Sequence, residues 1–139
     1  MTVATELSEI QALRLSPAYQ AAELIRQQIG AAAMAAYPPA SVQYGGLRLM
    51  IGTWETIAIK VRGNDALKEP FYQNNPVGYM WNKLSPGIKA IRKVSKIKAV
   101  KALYGNQFSL LNTAYGRWLK DQPADYRSAA LSGISAQFG

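Results

Sequence analysis

Lysine and arginine are concentrated in one part of the chain where no carboxylate is close in sequence. Residues 89–105, KAIRKVSKIKAVKALYG, contain six cations and no acid among seventeen residues. Between Glu69 and Asp121 there are nine cations and no acid, and the rest of the chain sums to −1 within a net charge of +8. Cationic side chains without neighbouring acids neutralise phosphate groups, so this pattern predicts binding to a polyanion, most commonly a nucleic acid.

The residue types in this stretch favour contact with a nucleic-acid backbone over the reading of bases. Lys dominates, Asn, Gln and Glu are scarce, and no zinc finger, P-loop, RNA-binding aromatic motif or basic zipper is present. We therefore predict binding without sequence specificity. The candidate phosphate ligands are Lys83, Lys89, Arg92, Lys93, Lys96, Lys98 and Lys101, helped by Arg48, Lys60, Arg62 and Arg117. Seven phosphate contacts would give log K a slope of about −6 against log salt.

Three aromatic residues are interleaved with these cations: Tyr104, Tyr115 and Trp118. Such rings can stack on unpaired bases, which would favour a single-stranded ligand. Aromatic residues at helical spacing more often belong to a core, and we predict that role for them.

Catalytic and metal-binding chemistry finds little support in the sequence. His and Cys are both absent, and the eight Asp and Glu residues are scattered without ligand-like clustering. No G-x-S-x-G or S-x-x-K context suggests a nucleophile, and no carboxylate pair forms a recognisable acid and base arrangement. We predict neither an enzyme nor a bound cofactor or metal.

Apolar residues recur at every third position between residues 88 and 103, which would give a single helix there an unusual surface. With about 100° per residue, a period of three winds the apolar stripe around the helix. A cationic stripe winds beside it at Lys89, Arg92, Lys98 and Lys101. Such a helix would touch protein and polyanion along its whole length. The alternative is a chance spacing in a buried helix end from which lysines reach solvent.

Helical spacing and Pro or Gly breaks predict an all-α chain. Helices are expected over residues 5–15, 17–37, 47–61, 77–84, 87–104 and 106–120, with a short last helix from residue 123. The prolines at 38–39 form a rigid joint, and residues 62–78 are expected to be a long loop broken at most by a short helical turn. We interpret 1–139 as one domain, with a helical arm at 1–62 and a basic helix with a C-terminal helical bundle at 63–139.

Composition also bears on location and partners. No apolar run reaches about 18 residues, and no basic start precedes a hydrophobic core, so neither a spanning helix nor a signal peptide is expected. We expect the chain to be soluble in the cytoplasm when it is made. Hydrophobic residues make up 49% and charged residues 17% of the sequence, which predicts burial of apolar surface against partners.

The C-terminal half combines a basic helix, IKAIRKVSKIKAVKALYG, a Gly-containing break, a Tyr-bearing helix, SLLNTAYGRWLKDQP, and a small-residue ending, YRSAALSGISAQFG. Over about fifty residues this order resembles the major capsid proteins of filamentous and rod-shaped viruses of hyperthermophilic archaea, namely the rudivirus, lipothrixvirus and tristromavirus coat proteins. The resemblance implies an all-α protein whose N-terminal helices form an arm around double-stranded DNA while its C-terminal helices pack as a bundle.

The same resemblance implies partners and a location. Dimers, formed by one coat protein or by two related ones, would wrap the genome, hold it in A-form and polymerise into the helical nucleocapsid of a virion, in some members inside a lipid envelope. Residues 1–59 sum to −1. We therefore expect the central helices to carry more of the DNA contact than the arm.

Two other classes of function stay open. A helical small subunit of a CRISPR-type ribonucleoprotein complex also lines nucleic acid with basic helices, and a preference for single strands would favour it. A membrane-surface or partner-helix module is the other, because basic amphipathic helices bind anionic lipid. Liposome binding that survives competition by DNA would favour that class.

Overall fold

The computed structural model describes residues 2–128, and this part of the chain is all-α, as predicted. No strand occurs in it. Its elements are α1 (Val3–Leu15), α2 (Pro17–Ile29), α3 (Ala31–Ala35), α4 (Val42–Arg62), α5 (Asp65–Asn74), α6 (Val77–Val94), α7 (Lys98–Leu103) and α8 (Asn106–Lys120). Residues 124–128 are also helical. The rest of the predicted last helix lies outside the described residues.

Short polar side chains define where several helices begin. The Ser16 hydroxyl accepts the backbone N–H of Tyr19 at 3.2 Å, and Pro17 occupies the first position of α2, as the sequence predicted. The Ser41 hydroxyl accepts the N–H of Tyr44 at 3.0 Å. This cap starts α4 at residue 42, five residues before the predicted start, because it allows the helix to begin directly after the proline joint.

Two predicted boundaries in the first half were wrong. The expected helix over 17–37 is divided at Gly30, whose φ of +84° lies in the region that glycine adopts freely. The expected loop over 62–78 is instead helix α5, which buries Leu67 and Phe71 completely or nearly so. Burial of this apolar face outweighs the local turn signals and the proline at position 70 within the helix.

The predicted break at residues 85–86 was also wrong, because α6 runs continuously through Pro86 to Val94. Gly87 lies against Leu47 of α4, and a Cβ there would be only 3.0 Å from the leucine methyl carbons. The expected continuation of this helix to Tyr104 fails as well, since residues 95–97 are not helical. The winding stripes over residues 88–103 therefore do not exist as one continuous surface.

The core is centred on α4, whose buried face contacts α2, α3 and α8 most extensively. Trp54 is fully buried and stacks on Phe108 of α8 with ring centroids 5.0 Å apart. Ile10 of α1 and Leu84 of α6 belong to the same core. The predicted N-terminal arm is therefore not confirmed, because helices from both parts of the described chain share one hydrophobic core.

The aromatic residues of α8 lie where the sequence predicted. Tyr115 is buried in the core, and Trp118 packs against the core at a ring distance of 5.4 Å from Tyr72. Tyr104 is partly buried at the end of α7. Neither ring of α8 forms a free stacking platform for a base.

Candidate nucleic-acid interface

Six of the predicted phosphate ligands lie on one corner of the fold, formed by the end of α6, the extended residues 95–97 and α7. We call this set the basic corner, and it consists of Lys89, Arg92, Lys93, Lys96, Lys98 and Lys101. The Ser95 hydroxyl accepts the N–H of Ile97 at 3.1 Å, which competes with the helical bonding pattern and favours the break there.

Backbone carbonyls hold the two sides of the basic corner together. Arg92 Nε donates to the carbonyl oxygen of Tyr104 at 2.7 Å, and Lys101 Nζ makes a longer contact of 3.5 Å with the carbonyl of Lys93. The Arg92 bond holds the end of α7 beside the last turn of α6, and the long, exposed Lys101 contact adds little to it. Residues 89–101, which would span about 18 Å of a straight helix, are thereby folded into two adjoining elements, α6 and α7.

Gly105 makes this arrangement sterically feasible. Its φ is +77°, and a Cβ on this residue would lie 2.8 Å from Cγ2 of Ile88, closer than atoms of a side chain can pack. The chain turns here from α7 into α8. Glycine is required at this position both for its backbone conformation and for its contact with α6.

Arg48 of α4 joins the basic corner through a stacking contact. Its guanidinium carbon lies 4.6 Å from the ring centroid of Tyr104, and its Nη1 donates to the hydroxyl of Tyr44 at 3.3 Å. Burial raises the pKa of Tyr104 to about 12. With this raised pKa the ring is neutral beneath the arginine at physiological pH. The buried Tyr104 hydroxyl makes no geometrically acceptable hydrogen bond within residues 2–128.

The charges of the basic corner are available to a ligand. The five lysines are exposed, whereas Arg92 is half-buried and already bonded to the chain. Within residues 2–128 the salt bridges are Arg26 with Glu23 and Lys68 with Asp65, and none involves a predicted phosphate ligand. A polyanion would therefore not have to displace a carboxylate.

Apolar side chains are exposed among these cations. Val94, Ile97 and Leu103 are 73%, 64% and 59% exposed, and α7 has no fully buried residue. The sequence reading had assigned such residues to a stripe that contacts protein along a helix. In the structure they lie on the surface around the break, available to a partner or a lipid.

The remaining predicted ligands lie apart from the basic corner. Lys83 is half-buried with its Nζ 5.3 Å from the ring centroid of Tyr79. Arg62 donates to Gln107 at 2.8 Å near the start of α8. Lys60 on α4 and Arg117 on α8 are exposed. In the described part of the chain, no direct contact connects these four cations to the basic corner.

Sequence reasoning missed the carboxylate that orients α8. The two carboxylate oxygens of Glu55 accept the backbone N–H groups of Phe108, at 2.6 Å, and Gln107, at 3.3 Å. A negative charge is favourable at a helix N-terminus, and α8 has no capping side chain of its own. The partners are more than fifty residues apart in the chain, so no local pattern indicates the contact.

A cleft of about 620 Å³, lined by polar and apolar side chains, lies among α1, α2 and the end of α5. The Arg14 guanidinium lies 4.9 Å from the ring centroid of Trp54, whose indole N–H donates to the Tyr19 hydroxyl at 2.8 Å. Arg14 also donates to Asn75 at 3.3 Å. Burial raises the pKa of Tyr19. These contacts tie α1, α2 and α5 to the core.

No protein-family model, curated protein or solved structure matches the chain. None of the helices within residues 2–128 combines the length and the apolar character needed to cross a bilayer. The same residues contain no group of three or more side chains placed to hold a metal ion.

Proposed function

We propose that this protein binds the phosphate backbone of duplex DNA without sequence specificity, through the basic corner. The observation that carries the proposal is a set of exposed lysines, none of which is paired with a carboxylate of residues 2–128. Such a surface gains affinity by releasing counterions from DNA, and lysine contacts to phosphate carry no sequence information.

The three rings interleaved with the cations in the sequence support duplex over single-stranded nucleic acid as the ligand. A protein that binds single strands needs exposed rings on which bases stack. Tyr115 and Trp118 pack in or against the core, and the face of Tyr104 is covered by Arg48. The CRISPR-type single-strand alternative therefore lacks a stacking surface among these predicted rings of the described residues.

The biological role we propose is that of a structural virion protein. Copies would dimerise, wrap and polymerise along double-stranded DNA, and hold it in A-form within a helical nucleocapsid. This part of the proposal is supported by the resemblance of the C-terminal half to archaeal filamentous-virus coat proteins. The exposed apolar residues, which repeated copies would cover, add support.

An anionic lipid surface is a second candidate ligand. It is favoured by one observation, namely that Val94, Ile97 and Leu103 are exposed among the cations. Basic segments with exposed apolar side chains bind the interface of anionic bilayers. The two ligands are distinguished by competition.

The test is nuclease protection of long random-sequence duplex DNA by the purified full chain at low and moderate salt. We expect continuous protection that is lost as salt rises, and loss of protection in the triple variant Lys96→Gln/Lys98→Gln/Lys101→Gln. The matched control is Lys68→Gln, because Lys68 is already paired with Asp65 at 2.6 Å.

Three outcomes would overturn the proposal. One is protection that the triple variant retains in full. Another is tight binding to single strands without protection of duplex DNA. The third is binding to phosphatidylserine vesicles that excess DNA does not displace, which would establish the lipid surface instead.

A further inference from the structure

The outward face of α4 carries apolar side chains and bare glycines. Val42, Leu49 and Ile59 are 74%, 41% and 59% exposed. Gly45 and Gly52 lie on the same face, and a Cβ built on either would meet no other atom of residues 2–128 within 4 Å beyond its chain neighbours and the backbone of α4. Glycine inside an exposed helix is destabilising relative to alanine, so these two positions favour a role in a close contact over a role on a bare surface.

These residues follow the spacing of a helix-to-helix contact. One series, with a spacing of seven, is Val42, Leu49 and the exposed Thr56, and a second series displaced by three is Gly45, Gly52 and Ile59. Together the two series advance by three and four residues in turn, which is the heptad pattern of a helix that packs along a partner helix. We call these six residues the seam. The opposite face of α4 is the core, and no other part of residues 2–128 covers this seam.

We infer that the seam packs against the same seam of a second copy of the chain, with the two α4 helices antiparallel. A two-fold axis would pass between residues 50 and 51 of the two helices. The facing pairs are then Val42 with Ile59, Leu49 with Gly52, and Gly45 with Thr56. Every glycine faces a larger side chain, so two copies of the seam that run in opposite directions fit each other.

A parallel pair would lack this complementarity. It would place glycine opposite glycine at two levels, which leaves voids.

The size of the seam sets the strength of the association. The 21 residues of α4 span about 31 Å. A contact of that length and roughly 10 Å width covers on the order of 300 Å² per copy, below the roughly 800 Å² of a standard stable interface. The pair is therefore weak and concentration-dependent in solution. Arg48 borders both the seam and the basic corner, so pairing brings two basic corners to one assembly.

The inference deepens the proposed coat role by naming its contact between copies, so it rests on that role, but its test uses the protein without nucleic acid. The chain has no cysteine, so the double variant Val42→Cys/Ile59→Cys carries the only thiols. The two positions are about 25 Å apart within one helix and cannot bond to each other. Both side chains are exposed, so the substitutions leave the core intact.

Under mild oxidation we expect the double variant to form a closed covalent dimer at least about tenfold faster than either single variant, because only the antiparallel pair brings position 42 against position 59. Adding Gly52→Phe should abolish the difference, because the phenyl ring would collide with Leu49 of the other copy. Circular dichroism verifies that each variant is folded. The inference is overturned if the single variants dimerise as fast as the double variant, if open ladders of oligomers form instead, or if Gly52→Phe has no effect.

Either of the two proposals can fail while the other stands. A crosslinked dimer that does not protect DNA would refute the nucleic-acid function and leave the seam in place. Salt-sensitive DNA protection by a protein that never crosslinks would do the reverse.

Discussion

Neutralisation of two lysines on α7 should reduce the salt dependence of DNA binding by a calculable amount. The variant is Lys98→Gln/Lys101→Gln. Both side chains are exposed on a helix with no buried residue, so the fold should tolerate the change. The five exposed lysines of the basic corner each contribute about −0.9 to the slope of log K against log salt, which gives about −4.5 per bound copy.

The structure lowers this value from the slope of about −6 that seven contacts would give. Arg92 is half-buried with its Nε bonded to the chain, and Lys83 is half-buried beside Tyr79. A slope of about −4.5 corresponds to a loss of about 500-fold in affinity between about 50 and 200 mM salt. With three exposed lysines left, the double variant should show a slope of about −2.7.

The assay is fluorescence anisotropy of a labelled random-sequence duplex, titrated with protein at several salt concentrations. Lys68→Gln is the matched control, with the same charge change at a lysine that is paired to a carboxylate. The reasoning is refuted if the wild-type slope is near about −1. It is equally refuted if the control lowers the slope as much as the α7 variant does.

Three predictions concern stability, each measured by urea unfolding followed by circular dichroism. Gly105→Ala should destabilise the fold by about 2 kcal/mol, because its φ is +77° and its Cβ would clash with Ile88; an unchanged midpoint would contradict the role given to this turn. Glu55→Ala should cost about 1 kcal/mol through loss of the α8 cap, whereas Glu9→Ala, the same change at an exposed glutamate of α1, should cost little. Tyr104 keeps its proton more tightly when folded, with a pKa of about 12 against an ordinary value of 10.0. Its contribution to stability is therefore complete below pH 10 and is lost as the pH rises towards 12. Tyr104→Phe should flatten that decline without lowering stability at neutral pH, since the hydroxyl makes no hydrogen bond within residues 2–128; a large loss at neutral pH would show that the hydroxyl is bonded.

Several features of this protein follow from the sequence by itself. The all-α class, the start of α2 at the Ser16 cap and the acid-free cationic segment could all be predicted. Helix periodicity and capping depend on residues within a few positions of each other. The charge of a segment depends on its composition alone. Such properties are independent of how the chain packs.

Only the tertiary structure decided at which positions the local preferences for helix or loop are followed. Turn residues at 62–78 suggested a loop, yet burial of Leu67 and Phe71 made α5 a helix. The helical spacing over 87–104 predicts one helix. In the structure α6 ends at Val94, and α7 lies back against α6, where Arg92 Nε donates to the carbonyl oxygen of Tyr104. At α5 packing contributes more free energy than the local turn preference it opposes. At Ser95 the break depends instead on the bond of the Ser95 hydroxyl to the N–H of Ile97 and on the distant contact of Arg92 with Tyr104.

Contacts between residues that are far apart in the chain could not be predicted from the sequence. Arg48 meets Tyr104, and Glu55 caps α8, over separations of more than fifty residues. The outward seam of α4 can be identified only after the opposite face is known to be the core. Local patterns determine which helices can form, and the burial of one shared core determines which cations lie together and which surfaces remain for partners.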